Sequence, residues 1–220
     1  MLERMDDFFT NRCQGYDEHM REDVEGDDAF YEFTASLLPK EDRASILDLG
    51  CGTGLELEEY FKVNSSAKVT GIDMTRAMLD ALEAKFPDKE LTLICDSYFD
   101  VPFGEEKFDA AVSVESLHHF TKEEKIPLYT KLNKALKPGG YFILTDYFAH
   151  LDEQEDFFRR ELLRIRKEEN LPDGVFYHYD TPLTVEHEKE ALLAAGFESV
   201  EVLGNWENTY TLKAVSTLSR

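Results

Sequence analysis

The chain has 220 residues, enough for one domain with a substantial core. Its 46 Asp and Glu against 24 Lys and Arg give a formal net charge of -22, which repels polyanions and disfavours nucleic acid or an anionic membrane surface as a partner. Three scattered cysteines, Cys13, Cys51 and Cys95, form no CxxC pair, which argues against a disulfide framework or a zinc site. The charged start, Met1 to Asp7, lacks the apolar stretch of a signal peptide, and no run nears the roughly 18 apolar residues of a membrane span. A cytoplasmic protein, monomer or homodimer, is the expectation.

Apolar strand-like runs alternate with helix-period segments. The first strand spans Ser45–Leu49, and a helix after Gly54 carries Leu55, Leu57, Tyr60 and Phe61. A second strand, Lys68–Ile72, precedes Thr75, which reads as the N-cap of a helix with Met78, Ala81, Leu82 and Phe86 on one face. Leu91–Cys95 and Phe108–Val114 read as strands three and four. Thr121 to Glu124 forms a capping box. Its helix carries Leu128, Tyr129, Leu132, Ala135 and Leu136, and Lys137-Pro138-Gly139-Gly140 stops it. A fifth strand covers Tyr141–Thr145.

This rhythm predicts a doubly wound α/β sheet, mostly parallel and covered on both faces. Residues 150–184 break it and read as an inserted helical cap for the substrate, since they are too long for a plain connection. Thr184 then opens a helix that Gly196 ends. Strands Phe197–Leu203 and Thr209–Ser216 follow, with a hairpin-like reversal at Gly204-Asn205 and an antiparallel last strand. The layout is a single domain: a helical N-terminal cap over 1–40, a core over 41–149, the 150–184 cap, and a closing helix and strands over 185–220.

The stretch Ile46 to Gly54, ILDLGCGTG, places Gly50, Gly52 and Gly54 at the carboxyl end of the first strand, where open α/β sheets bind ligands. Glycine there allows positive φ and close backbone approach. A P-loop would need GK[ST], but Leu55-Glu56 follow Gly54. A dinucleotide fingerprint would need a third glycine or alanine where Leu55 stands. Asp48 and Glu56 flank the loop and suit a cationic or zwitterionic ligand better than a pyrophosphate.

ILDLGCGTG resembles the cofactor signature of the class I S-adenosylmethionine-dependent methyltransferases. Val69–Thr75, Leu91–Phe103, Phe108–Phe120 and Leu136–Tyr147 resemble the four later motifs of that family, in the same order. The start, FFTNRCQGYDEHM, is similar to the N-terminal helix of members in which a Tyr-Asp step closes over the cofactor. The resemblance implies a Rossmann-like, seven-stranded sheet and S-adenosyl-L-methionine as cofactor. Asp73, about 20 residues beyond the glycine loop, is placed to accept both ribose hydroxyls. Asp96 suits the adenine amino group, with Ser97 beside it, and Met74 and Tyr98 would sandwich the ring. Asp48 would orient the loop or the ligand's ammonium group. Cys51 belongs to the loop as a small side chain in a tight turn, without a catalytic duty.

Glu115 is counted with the cofactor-binding residues, and the acceptor site is expected beside it, above strands four and five and under the cap. His119, His118 and His178 are the candidate bases, and Tyr16 would cover the methionine end of the cofactor. Alternation in an extended chain allows only one of His118 and His119 to face the site, and His119 is favoured. No His and carboxylate spacing marks a metal site, so none is expected. The function implied is methyl transfer to an O or N atom of a small molecule, mainly by proximity and desolvation, with histidine as candidate base. Two other readings stand beside it: a methyltransferase acting on tRNA or protein, and a non-catalytic cofactor-binding regulator.

Overall fold

Seven strands make one sheet: β1 (Ser45–Leu49), β2 (Lys68–Asp73), β3 (Glu90–Cys95), β4 (Phe108–Val114), β5 (Leu136–Tyr147), β6 (Ser199–Trp206) and β7 (Thr209–Val215). Their order in the sheet is β3-β2-β1-β4-β5-β7-β6. The structure is a computed structural model describing residues 1–23 and 27–217. The N-terminal cap and closing segments drawn from sequence also include residues 24–26 and 218–220, which lie outside the described residues. The pairs β1–β2, β1–β4, β2–β3 and β4–β5 are parallel, and β7 runs antiparallel to both β5 and β6. This is the Rossmann-like sheet expected, with the last strand reversed.

The central strands are apolar on both sides because helices cover both faces. Neighbouring residues alternate between two cores: Leu47, Ala111, Phe142 and Leu144 join one, while Ile46, Ala110, Val112 and Ile143 join the other. α6 (Lys122–Ala135) and α8 (Val185–Ala194) supply Leu128, Leu132 and Leu192 to the first. α3 (Asp27–Leu37) and α4 (Leu55–Val63) supply Phe30, Ala35, Leu57 and Tyr60 to the second. Chain order reverses between β1 and β4, so the loops after these two strands part there and leave a crevice. α5 (Arg76–Lys85) follows β2, and α7 (Asp152–Glu168) occupies the 150–184 segment.

Four details correct the sequence reading. The fifth strand begins at Leu136, where Phe108 pairs with it before the register shifts and Tyr141 pairs with Ala110. Leu136 still donates its N–H to Leu132, so it ends the helix and starts the strand. Gly204 and Asn205 stay inside β6, and the reversal falls at Glu207-Asn208, with Glu207 at φ 51°. Gly204 is small because a Cβ there would come within 2.5 Å of the Trp206 ring. The N-terminal stretch is two helices, α1 (Met5–Arg12) and α2 (Tyr16–Asp23), broken at Gly15 with φ 84°. Finally, Leu117–His119 is a 3-10 turn instead of extended chain, so alternation does not govern the two histidines.

Between α6 and α8, Lys125 Nζ meets Glu188 Oε2 at 2.6 Å, and the Tyr129 hydroxyl donates to Glu188 Oε1; all three side chains are buried. Removing one partner of such a group strands a charge. Glu188→Ala is therefore expected to cost about 3–5 kcal/mol in a denaturant titration. Glu190→Ala, which breaks an exposed pair with Lys122, should stay within about 1 kcal/mol.

Candidate active site

The chain turns sharply after β1. Gly50 and Cys51 both donate their N–H to the Ile72 carbonyl, at 2.8 and 3.3 Å, which folds the loop back on β2. Gly50, Gly52 and Gly54 have φ of 75°, 45° and 74°, the left-handed region that favours glycine. Their surroundings differ. A Cβ on Gly50 would sit 2.0 Å from Ser116 Oγ, and one on Gly54 would press on Leu82 and Phe86 at 3.2 Å. A Cβ on Gly52 would meet nothing within 4 Å. Gly50 and Gly54 are small so that neighbours fit, whereas Gly52 opens on empty space.

That space is a cleft of about 600 Å³, part of it open to solvent, within the ~300–1,000 Å³ typical of small-ligand sites. Asp73 stands at the end of β2. Its Oδ2 accepts the Gly52 N–H at 3.0 Å and its Oδ1 the Thr75 N–H at 2.8 Å. Thr75 caps α5 by position, but its side chain makes no cap bond. Burial raises the Asp73 carboxyl above its usual range, partly offset by the Thr75 and Gly52 amides. Asp96 accepts the Ser97 N–H at 2.7 Å, and Ser97 Oγ accepts that of Phe99 at 3.2 Å. The Tyr98 hydroxyl lies 3.2 Å from Ser116 Oγ. Lys131 pins this loop by donating to the carbonyls of Tyr98, Phe99 and Val101 at 2.7–2.8 Å.

Asp48 lies beneath the loop, fully buried, with no amide, hydroxyl or amine donor on either carboxylate oxygen and the Glu56 carboxyl as its hydrogen-bonding neighbour. Burial, then Glu56 and Asp73, push its carboxyl well above the usual range. Glu56 is buried with it and is raised for the same first reason. Lys85 offsets part of the rise at Glu56 and pairs at 2.6 Å with Asp17, which also accepts from Thr53 Oγ1 at 2.5 Å. This fastens α2 to the glycine loop and brings Tyr16 into the cleft wall.

Two remote segments roof the cleft. Met5 donates its N–H to Phe176 at 3.1 Å, and His178 donates its own to Glu3 at 3.0 Å. Met5, Phe9 and Phe176 line the cleft, and the His178 ring stacks on Phe8 at 3.4 Å. A second, outer pocket shares Phe9, Tyr16, Glu115 and His119 with the cleft and adds His19, His118, His178 and Asp180.

At this border His118 Nδ1 lies 2.5 Å from Asp146 Oδ1. Asp146 also accepts the N–H groups of Leu117 at 2.8 Å and Tyr147 at 2.9 Å. Burial pulls the His118 imidazole down, but Asp146, Glu115 and Asp180 outweigh it and raise it to about 9. Burial and neighbouring His118 lower His119 to about 4. Glu115, with φ 48°, is raised to about 8, first by burial and then by Asp146. His119 Nδ1 approaches Asp180 Oδ1 at 3.0 Å, yet neither atom makes an aligned hydrogen bond and both are buried.

The fold thus gathers Tyr16, Gly50, Gly52, Asp73, Met74, Asp96, Ser97, Tyr98, Glu115 and His119 around one cleft. His118 and His178 face the outer pocket, while Asp48, Cys51 and Gly54 lie outside both linings. Sequence reasoning missed Ser116 and Asp180, while Asp17 belongs to the Tyr-Asp step that the resemblance marked. Asp180 lies two residues after the candidate base His178, at the end of the aromatic run Phe176 to Tyr179, the local signal nearest to it.

Residues 46–140 match the family described as methyltransferase domain. The chain is 31% identical over 163 residues to sterol 24-C-methyltransferase ERG6B of Gibberella zeae, covering 70% of this chain and 39% of that protein. It is 33% identical over 112 residues to a tRNA (carboxymethyluridine(34)-5-O)-methyltransferase of Arabidopsis thaliana, covering 50% and 25%. The chain therefore spans well under half the length of these curated relatives. The solved YcgJ protein of Bacillus subtilis superposes with a TM-score of 0.69 over 87% of this chain and 100% of that one, at 13% identity, a likeness of fold. Together with the motifs, these matches define the class: residues 46–140 form a methyltransferase domain, with the sequence features of the class I S-adenosylmethionine-dependent family.

Asp48 gives a pH-dependent test. Its folded-state carboxyl is raised above the unfolded value of about 3.9, so its contribution is complete below that value and is lost as pH rises through the folded one. Asp48→Asn removes this penalty. Its melting temperature, without cofactor, should exceed that of the parent at pH 8, with the gap closing toward pH 4. A gap independent of pH would show that Asp48 titrates normally.

Proposed function

We propose that this chain transfers a methyl group from S-adenosyl-L-methionine to an O or N atom of a small molecule. The observation that carries this reading is the paired arrangement of cleft and outer pocket. One is built on Gly52 and Asp73, the other is walled by aromatic rings, and His119 and Glu115 stand where they meet. The cofactor fits the residues present. Gly52 leaves its cradle open, and Asp73, held by two backbone amides, keeps oxygen lone pairs for a pair of hydroxyls. Asp96 and Ser97 suit the adenine edge, with Met74 and Tyr98 beside the ring. The acid pair Asp48 and Glu56 lies under the loop, suited to balance an ammonium group through it. When bound, S-adenosyl-L-methionine supplies a methyl group already activated on a sulfonium.

The protein's own part is positioning and exclusion of water. Tyr16, Phe9 and Phe176 cover the cleft, and Asp17 fastens that cover to Thr53. A histidine remains the candidate base for a proton lost by the acceptor, and the three rings differ in what holds them. His118 Nδ1 is committed to Asp146, His178 is stacked on Phe8, and His119 Nδ1 faces Asp180.

A small acceptor is favoured over RNA by charge. Arg12 is the one Lys or Arg lining the outer pocket among the described residues, it is paired with Glu3, and the chain carries a net charge of -22. The sterol and tRNA relatives keep carbon and tRNA acceptors as competing outcomes. Three free cysteines fit a reducing compartment such as the cytoplasm.

Asp73→Ala is expected to weaken S-adenosyl-L-methionine binding by about 1.5–3 kcal/mol in calorimetry, the worth of a hydrogen bond to a charged group. Unchanged affinity would remove Asp73 from the cofactor site, and absence of binding by the parent chain would remove the proposal itself.

A further inference from the structure

We propose that His118, His119 and Asp180 bind one first-row divalent metal ion, of the zinc type, at the border of the cleft and the outer pocket. Each of the three offers a ligand atom within 4.8 Å of the others. Asp180 Oδ1 lies 3.0 Å from His119 Nδ1 and 3.7 Å from His118 Nε2. Ligands held ~2.0–2.2 Å from a tetrahedral ion stand roughly 3.3–3.6 Å apart, so these gaps suit a shared ion.

The second observation is independent. His119 Nδ1 and Asp180 Oδ1 are both buried atoms 3.0 Å apart, in a geometry that gives no aligned hydrogen bond, and no other hydrogen-bond partner stands at either atom, although the rest of the Asp180 side chain is 44% exposed. The His119 side chain is 4% exposed, so water has little access to it. Buried polar atoms without partners call for an explanation, and an ion between them is one.

The third is the support behind His118. Metal-binding histidines commonly present their other ring nitrogen to a carboxylate that fixes tautomer and orientation. Asp146 does this at 2.5 Å and is itself held by two backbone amides. The neighbouring group Glu115, His118 and Asp146 also lies within ligand range. It would use the same Nδ1 that Asp146 already occupies, leaving no room for an ion on that side.

Two imidazoles and one carboxylate select a borderline first-row cation over calcium or magnesium. Three protein ligands leave an open position, as in catalytic rather than structural zinc sites. That position borders the outer pocket, through which the ion has its entry path. If the methyl-transfer reading holds, an acceptor hydroxyl or amine bound there would be held beside the cleft with its acidity increased; binding of the ion itself does not depend on that reading. Sequence spacing hid the site because Asp180 reaches the histidines only through the fold.

The test uses the full chain without cofactor or acceptor. After treatment with EDTA it is titrated with Zn²⁺ in a calorimeter and with Co²⁺ in a visible spectrometer. The expected result is one equivalent of Zn²⁺ and a cobalt d–d spectrum. His119→Ala and Asp180→Asn should each weaken binding at least tenfold, and Asp146→Asn should weaken it by about 10–100-fold. His187→Ala, whose imidazole pairs with Glu155 elsewhere, should bind like the parent. Circular dichroism establishes that each variant is folded. Failure of the parent to bind Zn²⁺ stoichiometrically, or equal affinity in folded His119→Ala and Asp180→Asn, would overturn the site. Calorimetry with S-adenosyl-L-methionine on the same metal-free chain reads the methyl-transfer proposal separately.

Discussion

A single carboxylate joins the two loops on which the cleft depends. Asp73 takes one amide from the loop after β1 and one from the start of α5, so it fixes the spacing of the first two strand ends. Charge-assisted bonds to backbone N–H groups are stronger and more directional than neutral ones. The Ile72 carbonyl, accepting from Gly50 and Cys51, holds the same loop from the other side. With the loop pinned at both points, Gly50 is forced against Ser116, and only glycine fits. Ser116 in turn carries the Tyr98 hydroxyl and so relates the third strand's loop to the fourth's.

The acidity of the chain is not a surface property alone. Asp48, Glu56, Asp73, Glu115, Asp146 and Asp180 converge on one region, several of them deeply buried. Burial of like charges is unfavourable unless protons, backbone donors or cations intervene. Each remedy is present somewhere. Asp48 has its carboxyl raised by burial so that a proton is held more tightly, Asp73 has backbone donors, and Asp146 has His118. A field of this sign favours cationic ligands and repels phosphates.

What could be read from sequence was local. β4 has the expected bounds because an apolar run buried on both faces is written in consecutive residues. The glycine loop and Asp73 were legible for the same reason, since a strand, a turn and an acid at fixed offsets need no knowledge of the rest. Gly204 misled because a glycine demanded by Trp206 looks identical to one demanded by a turn. Leu136 misled because its strand partner, Phe108, lies on another element and its helix partner does not. The short turn at Leu117–His119 overrode the alternation that was to choose between the histidines. Asp180 was invisible as a site residue because its partners are distant in sequence, and only the packed structure supplies them; for Asp17 the sequence marked the residue but not its partners Thr53 and Lys85.

The grip of Asp17 on Thr53 and Lys85 carries a kinetic consequence. The same side chain belongs to the roof, while both of its partners belong to the floor. Swinging α2 aside means rupturing an ionic latch that is partly open to solvent. Dissolved salt loosens such a latch by screening it, so the dwell time of an occupant shortens as ionic strength climbs, even where the walls that touch it stay the same.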